Sequence, residues 1–356
     1  MIDRDDLRAA TAAGLISEAQ ASSLASLADS RRGARERLAA GDEPFELFRG
    51  FNEIFIVVGL LILSSGWVGV VTLLVGVGDR TGGALIGLLT AAFIWAMSEY
   101  FVIRRRMVAP AITLSIMFAM TALLSFGIWF AQPFMVAQND FSSLPWPAVC
   151  ATLAVLVYWL RFRVPFALAI VAIGLFAIGI LVAAIARGTP ATWVEMFKLS
   201  ADGPFAWITL VLGLAVFAVA MRFDMSDPHR VTRRSANGFW LHVVAAPALV
   251  NTVALSLLDQ GGSANLLLLA ILALFAAVAI VIDRRSFLIA AIGYIVTLSF
   301  TVFKGDSAAL PILMLGIVLL ILGAFWQPIR ATLLRPLAGV LPLDRLPPTS
   351  LTKDRS

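Results

Sequence analysis

From Ile54 onward the chain is a succession of apolar runs, each about the twenty residues needed to cross a bilayer core, separated by short polar segments. This pattern predicts an all-α membrane bundle of about ten spans: Ile54–Val75, Ala84–Ile103, Val108–Phe130, Trp146–Leu160, Val164–Ala186, Pro204–Met221, Phe239–Leu258, Ala264–Ile282, Phe287–Phe303 and Ala308–Trp326. The fourth and ninth are the shortest, and hydropathy alone leaves them ambiguous. Charge resolves them. Arg104–Arg106, Arg161 with Arg163, Arg222 through Arg234, and Arg284 with Arg285 fall at every second loop. Removing either short span would move several of these clusters to the opposite face.

The same clusters orient the bundle. Of 27 Lys and Arg residues, all but Arg80, Arg187, Lys198 and Lys304 lie on the side that holds both termini. Loops rich in Lys and Arg stay cytoplasmic during insertion, so the expected topology is N-in and C-in. Trp129, Trp146, Trp207, Trp240 and Trp326 sit near the expected span ends, as an interfacial aromatic belt requires. The outward segment Arg187–Gly203 carries Trp193, Val194, Met196 and Phe197 and is expected to lie on the outer surface.

Polar patterning divides the chain into residues 1–50, 51–327 and 328–356. The first part reads as a cytoplasmic helical hairpin with a juxtamembrane segment. Leu7 to Ala13 forms a short helix closed by Gly14, and Ser17 with Gln20 forms a capping box that opens a second. The second helix carries Ala21, Leu24, Ala25 and Ala28 on one side, before the basic run Arg31, Arg32, Arg35 and Arg37. No secretory signal is expected, because Asp3, Asp5 and Asp6 stand where a basic leader would be. The third part, with Leu333, Leu334, Leu337 and Leu341 among Arg330, Arg335 and five prolines, reads as an interfacial stretch fraying into a disordered end. Ten spans permit two inverted five-helix halves, but no motif repeats between them.

Composition reinforces the membrane assignment: 60% of residues are hydrophobic and 14% charged. Basic residues dispersed over many loops match anionic lipid headgroups, not nucleic acid. The scarcity of lysine (Lys198, Lys304 and Lys353) beside abundant Arg and Ala suggests a GC-rich bacterial genome. Cys150 is the only cysteine, so neither an intrachain disulfide nor a thiolate metal cluster can form. No phosphate-binding loop, nucleophile elbow or H-E-x-x-H motif occurs, and no catalytic residues, metal site or cofactor are expected.

Ionisable groups within spans are the default functional candidates. Glu53 starts the first span. Glu99 ends the second and is expected to pair with the Arg104–Arg106 cluster, with proton or substrate coupling as the alternative. Asp283, beside Arg284, reads as a solvated helix end. The seventh span is richest, running Phe239-Trp240-Leu241-His242 to Pro247 and Asn251. Pro247 frees the Val243 carbonyl beside His242, so the imidazole either bonds backbone in a kinked packing helix or belongs to a polar site. Arg233, Arg234, Trp240 and His242 are the candidate ligand-binding set, at the depth of lipid phosphates. His242, Ala245, Ala246, Leu249, Val253 and Ser256 present a mostly small face. Gly83, Gly87 and Ala91 offer another close-packing face, and Ser64, Ser65 and Gly66 mark either a loosened first span or hydroxyls bonded to the preceding turn.

Two stretches carry a resemblance. Leu7…Gly14-Leu15-Ile16-Ser17-x-x-Gln20-Ala21…Leu24 before a Gly-rich first span, and Asp227-Pro228-x-Arg230-x-Thr232-Arg233-Arg234-Ser235 followed by Phe239-Trp240-Leu241-His242 and Ala245-Ala246-Pro247, resemble uncharacterised proteobacterial inner-membrane proteins. The resemblance implies a multi-pass protein of the bacterial inner membrane and no activity. The related pattern often has an acidic residue near Asn237 and a second His near Asn251, where this chain has asparagine.

Two function classes follow: a transporter-like protein for a small molecule or lipid, or a non-catalytic membrane anchor whose N-terminal hairpin recruits a protein partner. The topology is directly testable. Reporter fusions after Arg106, Arg163, Arg234 and Arg285 should report cytoplasm, and fusions after Asp140, Asp202, Gln260 and Gly305 the outside. Two adjacent loops in one compartment would remove a span.

Overall fold

The computed structural model describes residues 10–17, 51–76, 78–132, 140–188, 193–199, 204–227, 233–258, 264–285 and 309–337, with a few isolated positions between and after them. These are helical throughout, with no strand among them. Contacts divide the chain into two compact units, Met1–Pro44 and Phe45–Ser356. In the first, Gly14 takes a left-handed φ of 71°. The amides of Gly14 and Leu15 return to the carbonyls of Thr11 and Ala10, closing the first helix with a paired C-cap. The capping box forms as the sequence predicts: the Ser17 amide donates to Gln20 Oε1 at 3.0 Å and the Gln20 amide to Ser17 Oγ at 3.2 Å. Ala21, Ala25, Ala28 and the Arg31–Arg37 run lie outside the described residues.

The second unit contains α1 (Phe51–Val75), α2 (Arg80–Ser98), α3 (Val108–Phe130), α4 (Pro145–Phe162), α5 (Pro165–Arg187), α6 (Phe205–Met225), α7 (Arg233–Leu258), α8 (Ala264–Ile282), α9 (Ala309–Ala324) and α10 (Trp326–Leu334). Helices α1 to α7 are each long and apolar enough to cross a membrane. An eighth such segment arises if α9 and α10, bent by 80° at Phe325, are taken together. The architecture is that of a multi-pass membrane protein. The expected ninth span, Phe287–Phe303, lies outside the described residues. The chain's end also differs from expectation. The expected tenth span stops at Trp326, where instead α10 begins and buries Trp326, Arg330 and Leu334 on one side.

Exposed Leu, Ile, Val, Phe and Trp side chains cover the outside of the bundle, as a lipid environment favours. Burial rises inward: 17% of the most apolar window of α1 is buried, against 56% in α7. Helix α7 is therefore the central element, packing on α5, α6 and α8. Small residues permit that packing. Gly213 of α6 lies against Ala248 and Leu249, and Ala245, Ala246 and Ala254 of α7 are fully enclosed. Val253, placed on the same small face from sequence, is only partly buried. Helix α7 continues through Pro247. In the other half, Gly83 and Gly87 of α2 pack on Ile128 and Ser125 of α3, so this face joins neighbours within the bundle.

Polar atoms within the spans are mostly satisfied locally. Helix α1 runs unbroken through Ser64–Gly66, and Ser65 Oγ donates to the Leu61 carbonyl at 2.6 Å. The turn Trp193–Met196 does not lie free: Thr209 Oγ1 donates to the Met196 carbonyl at 2.8 Å, and the Leu199 amide donates to Ser256 Oγ at 2.8 Å. Trp129, Trp146 and Trp207 are exposed as belt residues, whereas Trp240 packs edge-on against Phe166 and Trp326 is buried.

The tight α2–α3 contact yields a stability prediction. Gly87→Leu should force Ser125 and its helix away, costing about 1–3 kcal/mol as overpacking. Gly59→Leu, where a new Cβ meets open space, should be nearly neutral. Thermal unfolding of the purified protein in detergent checks both, and equal effects would refute the packing assignment.

Candidate functional site: a buried carboxylate–imidazole–guanidinium cluster

Contacts between helix ends engage several of the ionisable residues. Glu53, near the start of α1, is buried and accepts the Ala109 amide at 2.9 Å and the Val108 amide at 3.4 Å. Its carboxylate thus covers the unsatisfied amides and positive dipole end of α3. Glu99 opens a π-helical turn, Glu99–Arg104, that follows α2. Its partner is Arg161 of α4, at 2.7 Å and partly exposed, in place of the expected Arg104–Arg106 cluster. The π turn helps to explain the difference, because its wider winding moves those arginines off the face that α-helical spacing assigns them. Arg105 instead donates through Nε to Tyr100 Oη at 3.1 Å.

The densest polar cluster lies where α6, α7 and the residue pair after α8 meet. Asp224, one residue before the end of α6, is buried. Its Oδ2 accepts from Arg284 Nε at 2.9 Å and lies 2.9 Å from His242 Nε2, while Oδ1 accepts from Arg284 Nη2 at 2.5 Å. Arg284 Nη2 also donates to the Ser235 carbonyl at 2.9 Å, with Ser235 Oγ at 3.3 Å. One carboxylate therefore takes a two-pronged guanidinium and an imidazole together. A carboxylate facing Nε2 requires the ring proton on that nitrogen. With neutral imidazole the Asp224–Arg284 pair balances its own charge. The Phe217 ring stands 5.4 Å from the imidazole and walls the cluster on its apolar side.

Local sequence builds each arm. On α6, Gly213, Val216, Ala220 and Asp224 are buried at helical spacing, so the carboxylate ends an otherwise apolar packing stripe. Opposite it stands Gly238, where any Cβ would run into the Asp224 carboxylate. Asp283 adopts a left-handed φ of 56°, and the amides of Asp283 and Arg284 close α8 on the Ile280 and Ala279 carbonyls. That turn delivers Arg284 inward, where it is 1% exposed. Asp283 is not the solvated end residue the sequence suggests: it is buried and accepts from Trp326 Nε1 at 2.5 Å. Arg330 completes the support, donating to the Ile280, Val281 and Pro347 carbonyls, so α10 caps the exposed carbonyl end of α8.

Of the residues singled out from sequence, His242 is central and fully buried, and it bonds a carboxylate instead of backbone. Trp240 lies two residues away but packs on Phe166 and Phe239. Arg233 and Arg234 are exposed in the first turn of the same helix, and Asn251 is partly buried further along it. Asn237 is buried, and its Oδ1 has no hydrogen-bond partner among the described residues. Sequence reasoning missed Asp224 and Arg284 because both sit within basic runs that read as solvated loops. The available signal was the buried stripe on α6, whose spacing reaches Asp224. Among the described residues no group of His, Cys, Asp and Glu could hold a metal ion. Comparison with protein families, curated proteins and solved structures finds no match for the chain.

The cluster makes a quantitative prediction. Asp224→Leu should leave the Arg284 guanidinium buried without its counter-charge, destabilising the fold by about 3–5 kcal/mol. Pairing it with Arg284→Met should recover most of that loss, because two apolar residues can replace a buried ion pair. Thermal or denaturant unfolding of the single and double variants decides it. Additive losses would show that the two groups are not coupled.

Proposed function

We propose that this protein is a transporter-like, multi-pass protein of the bacterial inner membrane, N-in and C-in with ten spans, that handles a small amphipathic molecule with an anionic head. The observation carrying this reading is the buried Asp224–His242–Arg284 cluster. A bundle that only anchors a partner gains nothing from a carboxylate, imidazole and guanidinium enclosed between three helices, since apolar residues would hold them as firmly. Intramembrane ionisable groups are instead the usual mark of a ligand or ion path.

The chemistry follows from exchange of anions on Arg284. Arg233 and Arg234, exposed at the start of α7, would attract an anionic head to the cytoplasmic face. Ser235 and the first amides of α7 offer it hydrogen bonds at a positive dipole end. A head that takes Arg284 displaces Asp224, which also releases His242 and so loosens α6 from α7. The cluster would then act as a lock opened by its own ligand. No covalent chemistry is assigned to it.

The anchor reading keeps one supporting observation: residues Met1–Pro44 form a compact unit separate from the rest, as an adaptor hairpin would. Reconstitution separates the two. Proteoliposomes containing the protein should move a head-labelled anionic phospholipid between leaflets, measured as dithionite bleaching beyond the outer-leaflet fraction, or accumulate amphipathic organic anions. His242→Leu and Arg284→Gln should lower that rate at least tenfold in protein that remains folded. If wild-type protein moves none of these, while deletion of Met1–Ala40 abolishes the cellular phenotype, the anchor reading stands instead.

A further inference from the structure

A second polar locus lies in the middle of the first helical hairpin, remote in sequence from the cluster on α6 and α7. Apart from Ser235, which meets Arg284, the hydrogen-bonded buried Ser and Thr hydroxyls among the described residues share one pattern. Ser98, Ser115, Thr152, Thr209, Thr252 and Ser256 each donate to the carbonyl four residues earlier. Ser64 and Thr90 break it. They are 4% and 5% exposed, and neither Ser64 Oγ nor Thr90 Oγ1 has a partner among the described residues. The indole Nε1 of Trp67 is likewise buried without one.

Helix spacing and the Trp67–Phe93 stack set these three residues in one neighbourhood. Ser64 and Trp67 are three residues apart, one helical turn, on the face of α1 that also buries Leu60 and Val71. Thr90 and Phe93 are one turn apart on α2, and the Trp67 ring stacks on Phe93 with centroids 4.7 Å apart. The hairpin is antiparallel and closes at Gly76–Asp79, which sets Trp67 and Thr90 at nearly the same depth, near the middle of both helices. Leaving such groups unsatisfied is costly, and in hydrocarbon no bulk water relieves it. The helix carbonyls four residues back were available to both hydroxyls, as they are elsewhere in the bundle.

We infer that Ser64, Trp67 and Thr90 form a mid-membrane binding site for a single oxygen atom, supplied by a water molecule or by the hydroxyl or carbonyl of an apolar molecule. The indole can only donate, while each hydroxyl donates and accepts, so the set suits an oxygen that takes at least one hydrogen bond. It does not suit a cation, for which two hydroxyl oxygens are too few. The stacked Trp67–Phe93 pair forms an apolar wall beside it. The exposed side chains of Leu63, Val68 and Leu89 flank the locus on the lipid side, giving an apolar guest a route in from the bilayer.

The test uses the sign of a stability change in the full-length protein. If the hydroxyls bind an oxygen, Ser64→Ala and Thr90→Val should each lower the apparent melting temperature in membranes or nanodiscs by about 2–4 °C. Ser65→Ala, which removes an exposed hydroxyl, should not. Unchanged or raised melting temperatures overturn the proposal, because deleting truly unsatisfied groups relieves a penalty. Two further arms identify the source. In a Cys150→Ala background, Ser64→Cys or Thr90→Cys reacting with a small water-soluble thiol reagent indicates water. A melting penalty that vanishes on delipidation and returns with membrane lipid extract indicates an apolar alcohol or carbonyl compound. A penalty with neither thiol reactivity nor lipid dependence assigns the hydroxyls to another part of this chain, and also overturns the site.

Discussion

The two-pronged pairing of Arg284 with Asp224 is the constraint around which the central helices are arranged. Each charge by itself would be prohibitively costly at that depth, and each has its partner on a different element. The pair therefore fixes the end of α8 against the end of α6, with α7 between them contributing Ser235 and His242. Everything close by accommodates it. Gly238 leaves the room the carboxylate occupies, and the left-handed turn at Asp283 aims the guanidinium. Arg330 and Trp326 then secure that turn from the far side.

Away from this end, association relies on shape. Lipid tails solvate Leu and Ile as well as a neighbouring helix does, so apolar burial alone draws helices together weakly. The bundle instead brings helices close where side chains are small: Gly83 and Gly87 on α3, Gly179 on Ile208, and Gly213 on α7. Aromatic packing supplements this between α2, α3 and α4, where Trp95, Phe118, Tyr158 and Phe162 meet edge-on and stacked. The Tyr158 hydroxyl in that group is met by Ser98 at 2.8 Å, so the aromatic core carries its polar atom satisfied.

Polar groups are thus handled in three ways. Most single hydroxyls, such as Ser98, Ser115 and Thr152, fold back on their own helix. Charged groups at the helix ends cap or cross-link neighbours, as Glu53 does for α3 and Glu99 for α4. The Asp224 cluster does neither simply, because one carboxylate serves a guanidinium and an imidazole from two different elements. This concentration sets it apart from the pairs that join two elements only.

Much of the architecture was determined by residue order alone. Apolar run length and basic loop alternation locate most of α1 to α8 within a few residues, and Val108–Phe130 and Ala264–Ile282 to the residue, while α7 begins at Arg233, ahead of the expected Phe239. Local motifs were equally legible: the Ser17–Gln20 box, the Gly14 cap and the small face of α2 depend on neighbours in sequence or on one helical repeat. His242 could be singled out because an imidazole inside a span is conspicuous. Its partners could not. Asp224 and Arg284 are 60 residues apart and sit among other charges at loop boundaries, where solvation and burial look alike in one dimension. Only the folded arrangement decides which charge of a run turns inward, because that choice depends on where a glycine, a left-handed turn and a third helix leave space.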